Sequence, residues 1–187
     1  MTANTVIEKG TVLLAEPFSE DHYFKRSVVL MCEHHPQGSL GFILNKPTDL
    51  MINDLMEDFP SFDASVFYGG PVQTDRLHFI HSLGDLLSSS QKIADGVFWG
   101  GNFHELQFLI QNDMVTPHNI RFFVGYSGWS AGQLVEEMGT GSWITAQMHP
   151  NYVFKTKAEE LWKLVMSNKG ATYQILADLP DESSKMN

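Results

Sequence analysis

Two stretches of the chain are apolar at nearly every position. Ser27-Val-Val-Leu-Met-Cys-Glu33 and Leu40-Gly-Phe-Ile-Leu-Asn45 predict strands buried on both faces. The turn residues His34-His-Pro-Gln-Gly38 lie between them, which predicts an antiparallel hairpin. Ile93-Ala-Asp-Gly-Val-Phe98 carries Asp95-Gly96, the strongest short hairpin signal. Leu77–His81 and Ile120–Gly125 are further strand candidates, and Ser142–Ala146 is a weaker one. Helical spacing appears elsewhere. Ile52, Leu55, Met56 and Phe59 recur at i, i+3, i+4 and i+7 until Pro60 stops the run. Asn102 precedes Phe103, Leu106 and Ile110, with Glu105 placed to complete a capping box. Thr156-Lys-Ala-Glu159 is a second box, opening a helix that buries Ala158, Leu161, Trp162 and Val165 and ends near Gly170. Leu83–Ser90 predicts a loop, and 181–187 a disordered tail. Strands and helices are interspersed, yet the strand pairs look antiparallel. That pattern predicts α+β or mixed-sheet architecture rather than a doubly wound parallel sheet.

With 187 residues, the chain is about one domain long, 1–187, with a globular core over about 10–179. A domain of this size buries roughly 70% of the surface its unfolded form exposes. One cysteine, Cys32, leaves no partner for an intrachain disulfide and suits a reducing compartment. No apolar run is long enough for a membrane span, and Met1–Gly10 has no signal-peptide segment, so the expectation is a cytoplasmic protein. Twelve bases against 22 acids give a net charge of −10. The bases are scattered, and none occurs from Phe122 to Phe154. Nucleic-acid binding needs clustered positive charge, so this balance disfavours it.

The candidate chemistry centres on Gly125-Tyr-Ser-Gly-Trp-Ser-Ala-Gly-Gln-Leu134. Gly128-Trp-Ser-Ala-Gly132 matches the G-x-S-x-G nucleophile elbow of serine hydrolases, with a strand-like run before it and a helix-like run after it. The partners are missing. His149 is the only histidine after Ser130, and the acids between them, Glu136 and Glu137, belong to the helix the serine would open. Ser130-Ala-Gly-Gln133 is instead S-x-x-Q, a capping box in which the serine oxygen accepts the Gln133 N–H and the glutamine returns to the serine N–H. Such a cap contributes about 1 kcal/mol.

Several motifs occur in order: Phe24–Leu30, Cys32-Glu-His34, Gly38–Pro47, Gly69-Gly-Pro-Val72 and Gly125–Leu134. Together they resemble the YqgE/AlgH family of bacterial proteins, over about Gly10 to Gly170. The resemblance implies an α+β fold with a mixed, largely antiparallel, branched or barrel-like sheet flanked by helices. It implies a transcriptional-regulator label that stems from the genetics of alginate production and carries no DNA contact with it. It implies no catalytic residues and no serine requirement at position 130.

Other constellations are weaker. Cys32-Glu-His-His35 holds three metal-ligand types, with Cys32 and His34 on one strand face and Glu33 and His35 on the other. A closed zinc site needs four converging ligands, so no metal and no cofactor are expected. His78 and His81 fall on opposite faces of their strand. Aromatic residues recur beside glycines at Tyr68, Trp99, Tyr126 and Trp129, a pattern suited to lining a shallow cleft or to closing strands. Arg26 and Arg76 are isolated bases, suited to an anion or to an internal ion pair. The C-terminal helix pair mimics helix-turn-helix spacing, but its second helix lacks lysine and arginine. The candidate ligand- or partner-binding residues are therefore Arg26, Arg76, Tyr68, Trp99, Tyr126, Trp129 and Gln133, with Ser130 and Thr156 as helix caps. The expected function is non-enzymatic binding of a protein or small molecule with regulatory effect. The alternatives are a hydrolase using Ser130 and a direct DNA-binding regulator.

Overall fold

The structure is a computed structural model and describes residues 6–181. Apart from Asp181, the expected C-terminal tail lies outside the described residues. Strands β1 (Thr11–Ala15), β2 (Val28–His35), β3 (Gly38–Ile43), β4 (Pro47–Met51), β5 (Ser65–Tyr68), β6 (Val72–His81), β7 (Gln91–Ala94), β8 (Val97–Trp99), β9 (Ile120–Ser130) and β10 (Trp143–Gln147) build the sheet. The helices are α1 (Ile52–Leu55), α2 (Phe103–Gln111), α3 (Gln133–Gly139), α4 (Asn151–Phe154), α5 (Ala158–Asn168) and α6 (Ala171–Asp178).

The main path runs β10-β1-β2-β3-β9-β6-β8-β7 as a curled half-barrel, so the fold is α+β. The sheet branches at β9. Its first half pairs with β6 and, in parallel, with β5, while its second half pairs with β3. The other pairings among the described residues are antiparallel. A strand flanked this way must be apolar on both faces, and Phe122 and Phe123, pointing opposite ways, are both fully buried.

Three cores follow from the two faces. On one face Leu14, Leu30, Phe42 and Phe123 meet Val153 of α4, Trp162 and Val165 of α5, and Ala177 of α6. On the other face Phe79 and Phe122 meet Ile52 of α1 and Leu106 and Ile110 of α2. Beside them, Val29, Met31 and Trp129 meet Leu134 of α3. Each fully buried aliphatic or aromatic side chain contributes about 1.5–3 kcal/mol.

The Gly-Gly-Pro motif and Gly125 have one shared cause. The segment between β5 and β6 crosses β9 so closely that a Cβ on Gly70 would lie 2.2 Å from the Tyr126 carbonyl carbon. A Cβ on Gly125, where φ is +70°, would lie 2.3 Å from the Gly70 oxygen. Hydrogen bonds from Ile43 N and Ser127 Oγ to the Gly69 oxygen, and from Gly69 N to the Val124 oxygen, lock the crossing.

Several local expectations change. The predicted hairpin turn narrows to Pro36-Gln37, because β2 continues through His35. The first helix is a single turn; the chain leaves it at Met56, and the Asn53 side chain ties residues 59–62 in place. Asn102 caps α2 by accepting from Glu105 N, but the Glu105 carboxylate turns away to accept from Ser88 N and Oγ. Thr156 caps nothing. The half-in residue of α5 is Lys157, without a side-chain cap, so Thr156 stands one position too early for its oxygen to reach the free amides.

Candidate functional site

The Gly125–Leu134 motif is strand for most of its length, since β9 runs on to Ser130, opposite Gly38. Ala131-Gly132 then turns the chain into α3, with Gly132 at φ +79° as the half-in residue. Half of the expected capping box forms: Ser130 N donates to Gln133 Oε1 at 3.0 Å. The other half does not. Ser130 Oγ donates to the same Gln133 oxygen at 3.3 Å instead of accepting the Gln133 N–H, because an extended Ser130 lies outside the helix start.

What the motif builds is a carboxylate clamp. Glu137 Oε2 accepts from the indoles of Trp129 at 2.9 Å and Trp143 at 2.7 Å, and Oε1 accepts from Gln133 Nε2 at 2.9 Å. Phe24 packs edge-on against Trp143 with centroids 5.3 Å apart. Trp129 and Trp143 are only 5% and 6% exposed, so both indoles would lose their partner without this carboxylate. Trp129 and Gln133, candidates for partner binding, are thereby both bonded to Glu137, with Trp129 buried and Gln133 partly buried. Tyr68 lies on the same face, packed against this core with Phe24 and Met138.

Arg26 is also committed. Its Nη2 donates to the Leu179 carbonyl at 2.9 Å and its guanidinium stacks over Trp162 at 4.9 Å, while Lys25 pairs with Asp181 at 2.6 Å. These bonds hold the end of the described chain against the β1–β2 loop.

The remaining candidates come together on the opposite face. The ring of His78, on β6, lies 5.1 Å from Phe42, 6.2 Å from Trp99 and 6.1 Å from Tyr126, centroid to centroid. Arg76 is two residues from His78 on the same strand; it is exposed, and its charge acts on the imidazole. His78 Nε2 is buried without a hydrogen-bond partner. Burial first, and Arg76 second, hold this imidazole below its ordinary value, so it is neutral near pH 7. Trp99 and Tyr126 thus pack against the ring that carries this unsatisfied nitrogen, with the Arg76 charge acting on it. His78 and Phe42 escape sequence reasoning as site residues, because only the long-range register of β6, β8 and β9 places them beside Trp99 and Tyr126.

His81 faces the other way and is structural. Leu83 N donates to Nδ1, so Nε2 carries the proton and donates to the Gly100 oxygen at 2.7 Å. Cys32 and His34 also part company. A β-bulge between Met31 and Glu33 sends Cys32 into the core with Leu30, and His34 turns to Ser39 on the other face. Burial raises the Cys32 thiol far above its ordinary range, which keeps it protonated. Among the described residues no three His, Cys, Asp or Glu side chains group as metal ligands, and no helix is long and apolar enough to cross a membrane.

Two cavities lie elsewhere. One, of about 490 Å³, opens between the β2–β3 hairpin and α3; in it His34 Nδ1 and Ser39 Oγ are 2.7 Å apart, with Ser130 at its wall. The other, of about 1050 Å³, lies in the seam between β10 and β7, lined among others by Lys9, Lys92, Asp95 and Lys169. Lys92 is paired with Asp95 at 2.7 Å, and Lys169 donates to the Thr145 carbonyl at 2.5 Å.

A family profile described as AlgH-like matches residues 12–174. A UPF0301 protein of Chlorobium luteolum is 44% identical over 172 residues, which is 92% of this chain and 91% of that one. One from Chlorobium chlorochromatii is 42% identical over 92% of each chain. The solution structure of the AlgH protein from Pseudomonas aeruginosa matches with a TM-score of 0.74 at 25% identity, over 97% of this chain and 99% of that one. The crystal structure of a Corynebacterium diphtheriae protein has the same fold, with a TM-score of 0.76 at 21% identity over 93% of each chain.

Proposed function

The chain belongs to the AlgH-like family, and from that premise we propose that it is a non-catalytic binding protein with regulatory effect, acting through the face formed by Arg76, His78, Trp99 and Tyr126. One observation carries the reading: the His78 Nε2 is buried without a hydrogen-bond partner among the described residues, in a ring packed against Phe42, Trp99 and Tyr126. An unsatisfied buried polar atom costs about 1–3 kcal/mol, and an occupant that bonds to it recovers that cost. The rings supply area and Arg76 supplies charge at the rim. Native mass spectrometry of protein purified from its own host tests this. Wild type should carry a noncovalent mass that Trp99→Ala and Tyr126→Ala lose while staying folded. Retention of every bound mass by both variants rules the face out.

A hydrolase reading keeps one supporting contact, and it involves Ser39 rather than Ser130. Ser39 Oγ and His34 Nδ1 are within hydrogen-bond range in a cavity. No described carboxylate orients His34, which weakens the pair as a nucleophile and base. Labelling of Ser39 by a fluorophosphonate, absent in His34→Gln, would favour this second reading. The DNA reading has less support. Lys163, on α5, is neutralised by Asp178 of α6 at 2.5 Å, and the net charge is −10.

A further inference from the structure

Arg121 lies on the same face, and nothing in the sequence singles it out. Its position follows from the ladder. Ile80 of β6 is opposite Arg121 on one side and opposite Trp99 on the other, so Arg121, Ile80 and Trp99 form one row across three strands. Two strand spacings separate the ends of that row, about 10 Å. The guanidinium is fixed from two directions. Nη1 donates to the Leu44 carbonyl at 3.0 Å, and the plane lies over the Phe67 ring at 4.1 Å.

The missing element is a counter-charge. Among the described residues, the ion pairs involve Lys25, Lys92, Lys157 and Lys163, and none involves Arg121. A half-buried guanidinium loses solvation that a counter-charge would replace. Burial alone lowers the Arg121 pKa, to about 10, which still leaves it charged at pH 7. Among the described residues the other guanidinium nitrogens make no hydrogen bond, yet they are absent from the fully enclosed unpartnered atoms, which include Arg26 Nε and His78 Nε2. Arg121 therefore holds a rigid fork with open donors and an apolar wall beside it.

We infer that Arg121 receives the carboxylate of a ligand whose flat apolar body lies against Phe67 and toward Trp99. The inference rests on the binding reading above and names the chemical class of what that face takes. A monoanionic carboxylate matches one guanidinium in fork geometry and leaves the site neutral. A phosphate dianion would leave an excess negative charge beside Phe67, where there is little water to solvate it.

Benzoate is the probe, with benzamide as its neutral counterpart and inorganic phosphate as the second oxyanion. The readouts are the Arg121 Nε–H and Trp99 indole resonances and thermal stability. Benzoate should shift both resonances saturably and raise the melting temperature, benzamide should do neither, and phosphate should bind about tenfold or more weakly. Arg121→Lys keeps a donor for the Leu44 carbonyl and the charge, so it should remain folded, but it loses the fork and should bind benzoate about tenfold or more weakly. An Arg121 resonance indifferent to benzoate, equal effects of benzamide or phosphate, or undiminished binding by a folded Arg121→Lys overturns the assignment. In that event a host-derived mass still lost in Trp99→Ala and Tyr126→Ala leaves the broader binding reading standing.

Discussion

Replacing Glu137 by alanine removes the acceptor that joins α3, the end of β9 and the start of β10. Three donors lose it: the indoles of Trp129 and Trp143 and the Gln133 amide. The amide can turn to water, because Gln133 is only partly buried. The two indoles cannot, being 5% and 6% exposed. An unsatisfied buried donor costs about 1–3 kcal/mol, so the pair gives about 2–6 kcal/mol, and partial entry of water favours a value near 3 kcal/mol. For a chain of this size each kcal/mol lowers the melting temperature by about 2–4 °C, so a drop of roughly 6–12 °C is expected. Glu137→Gln should cost less, because its carbonyl can still serve both indoles while its amide meets the Gln133 amide donor to donor. Urea denaturation with the near-UV circular dichroism of the tryptophans measures both variants. A Glu137→Ala protein within about 0.5 kcal/mol of wild type, with unchanged tryptophan bands, would refute the clamp.

Three further outcomes follow from the same contacts. Ser130→Ala should lose under about 1 kcal/mol in urea denaturation, because the hydroxyl is exposed and the Ser130 N bond to Gln133 survives, and a fluorophosphonate should label wild type no more at this position than the variant. Gly125→Ala should lower soluble yield and cost at least about 2–3 kcal/mol in urea denaturation, because a Cβ there meets the Gly70 oxygen at 2.3 Å in a left-handed backbone. The effect of acid is set by His78 and His81, both held below the ordinary histidine value of 6.5 by burial. Above that value neither state binds the proton and the full stability is present. As pH falls below it, the unfolded chain takes up protons first and stability is lost toward the lower folded value. Fully buried His81 steepens that loss by up to about 1.4 kcal/mol per pH unit, and partly solvated His78 by less. A flat stability profile between pH 7 and pH 5 in equilibrium denaturation would contradict this.

Local patterns were legible where they are self-contained. Asp95-Gly96 does join β7 to β8, and the apolar runs around Val28 and Phe42 do pair as β2 and β3. β1, β4 and β5 left no such mark. Thr11–Ala15 is a short apolar run without turn punctuation, β4 is mostly exposed, and β5 owes its place to a parallel partner far along the chain. The site divides in the same way. Arg76, Trp99 and Tyr126 stood out as rings or charges in unusual company. His78 and Arg121 are invisible without the register of β6 on β9, since each draws its character from residues about forty positions away: Phe123 opposite His78, and Ile80 opposite Arg121. The glycines beside Trp129 suit either the lining of a shallow cleft or a closed strand end. Gly128 instead lies within β9, where a Cβ would meet the Tyr126 ring at 3.2 Å, and the indole turns inward to Glu137.

The four tryptophans offer the most direct test of where this protein binds. Trp129 and Trp143 donate to Glu137, Trp162 donates to the Ala15 carbonyl, and Trp99 borders His78. Their indole N–H resonances should be recorded for protein purified from its host, then again after unfolding, removal of bound small molecules and refolding. The expected result is movement of Trp99, together with the His78 ring nitrogens, while the other three indoles stay in place. An unmoved Trp99, or movement confined to Trp129 and Trp143, would contradict the assignment of function to this face.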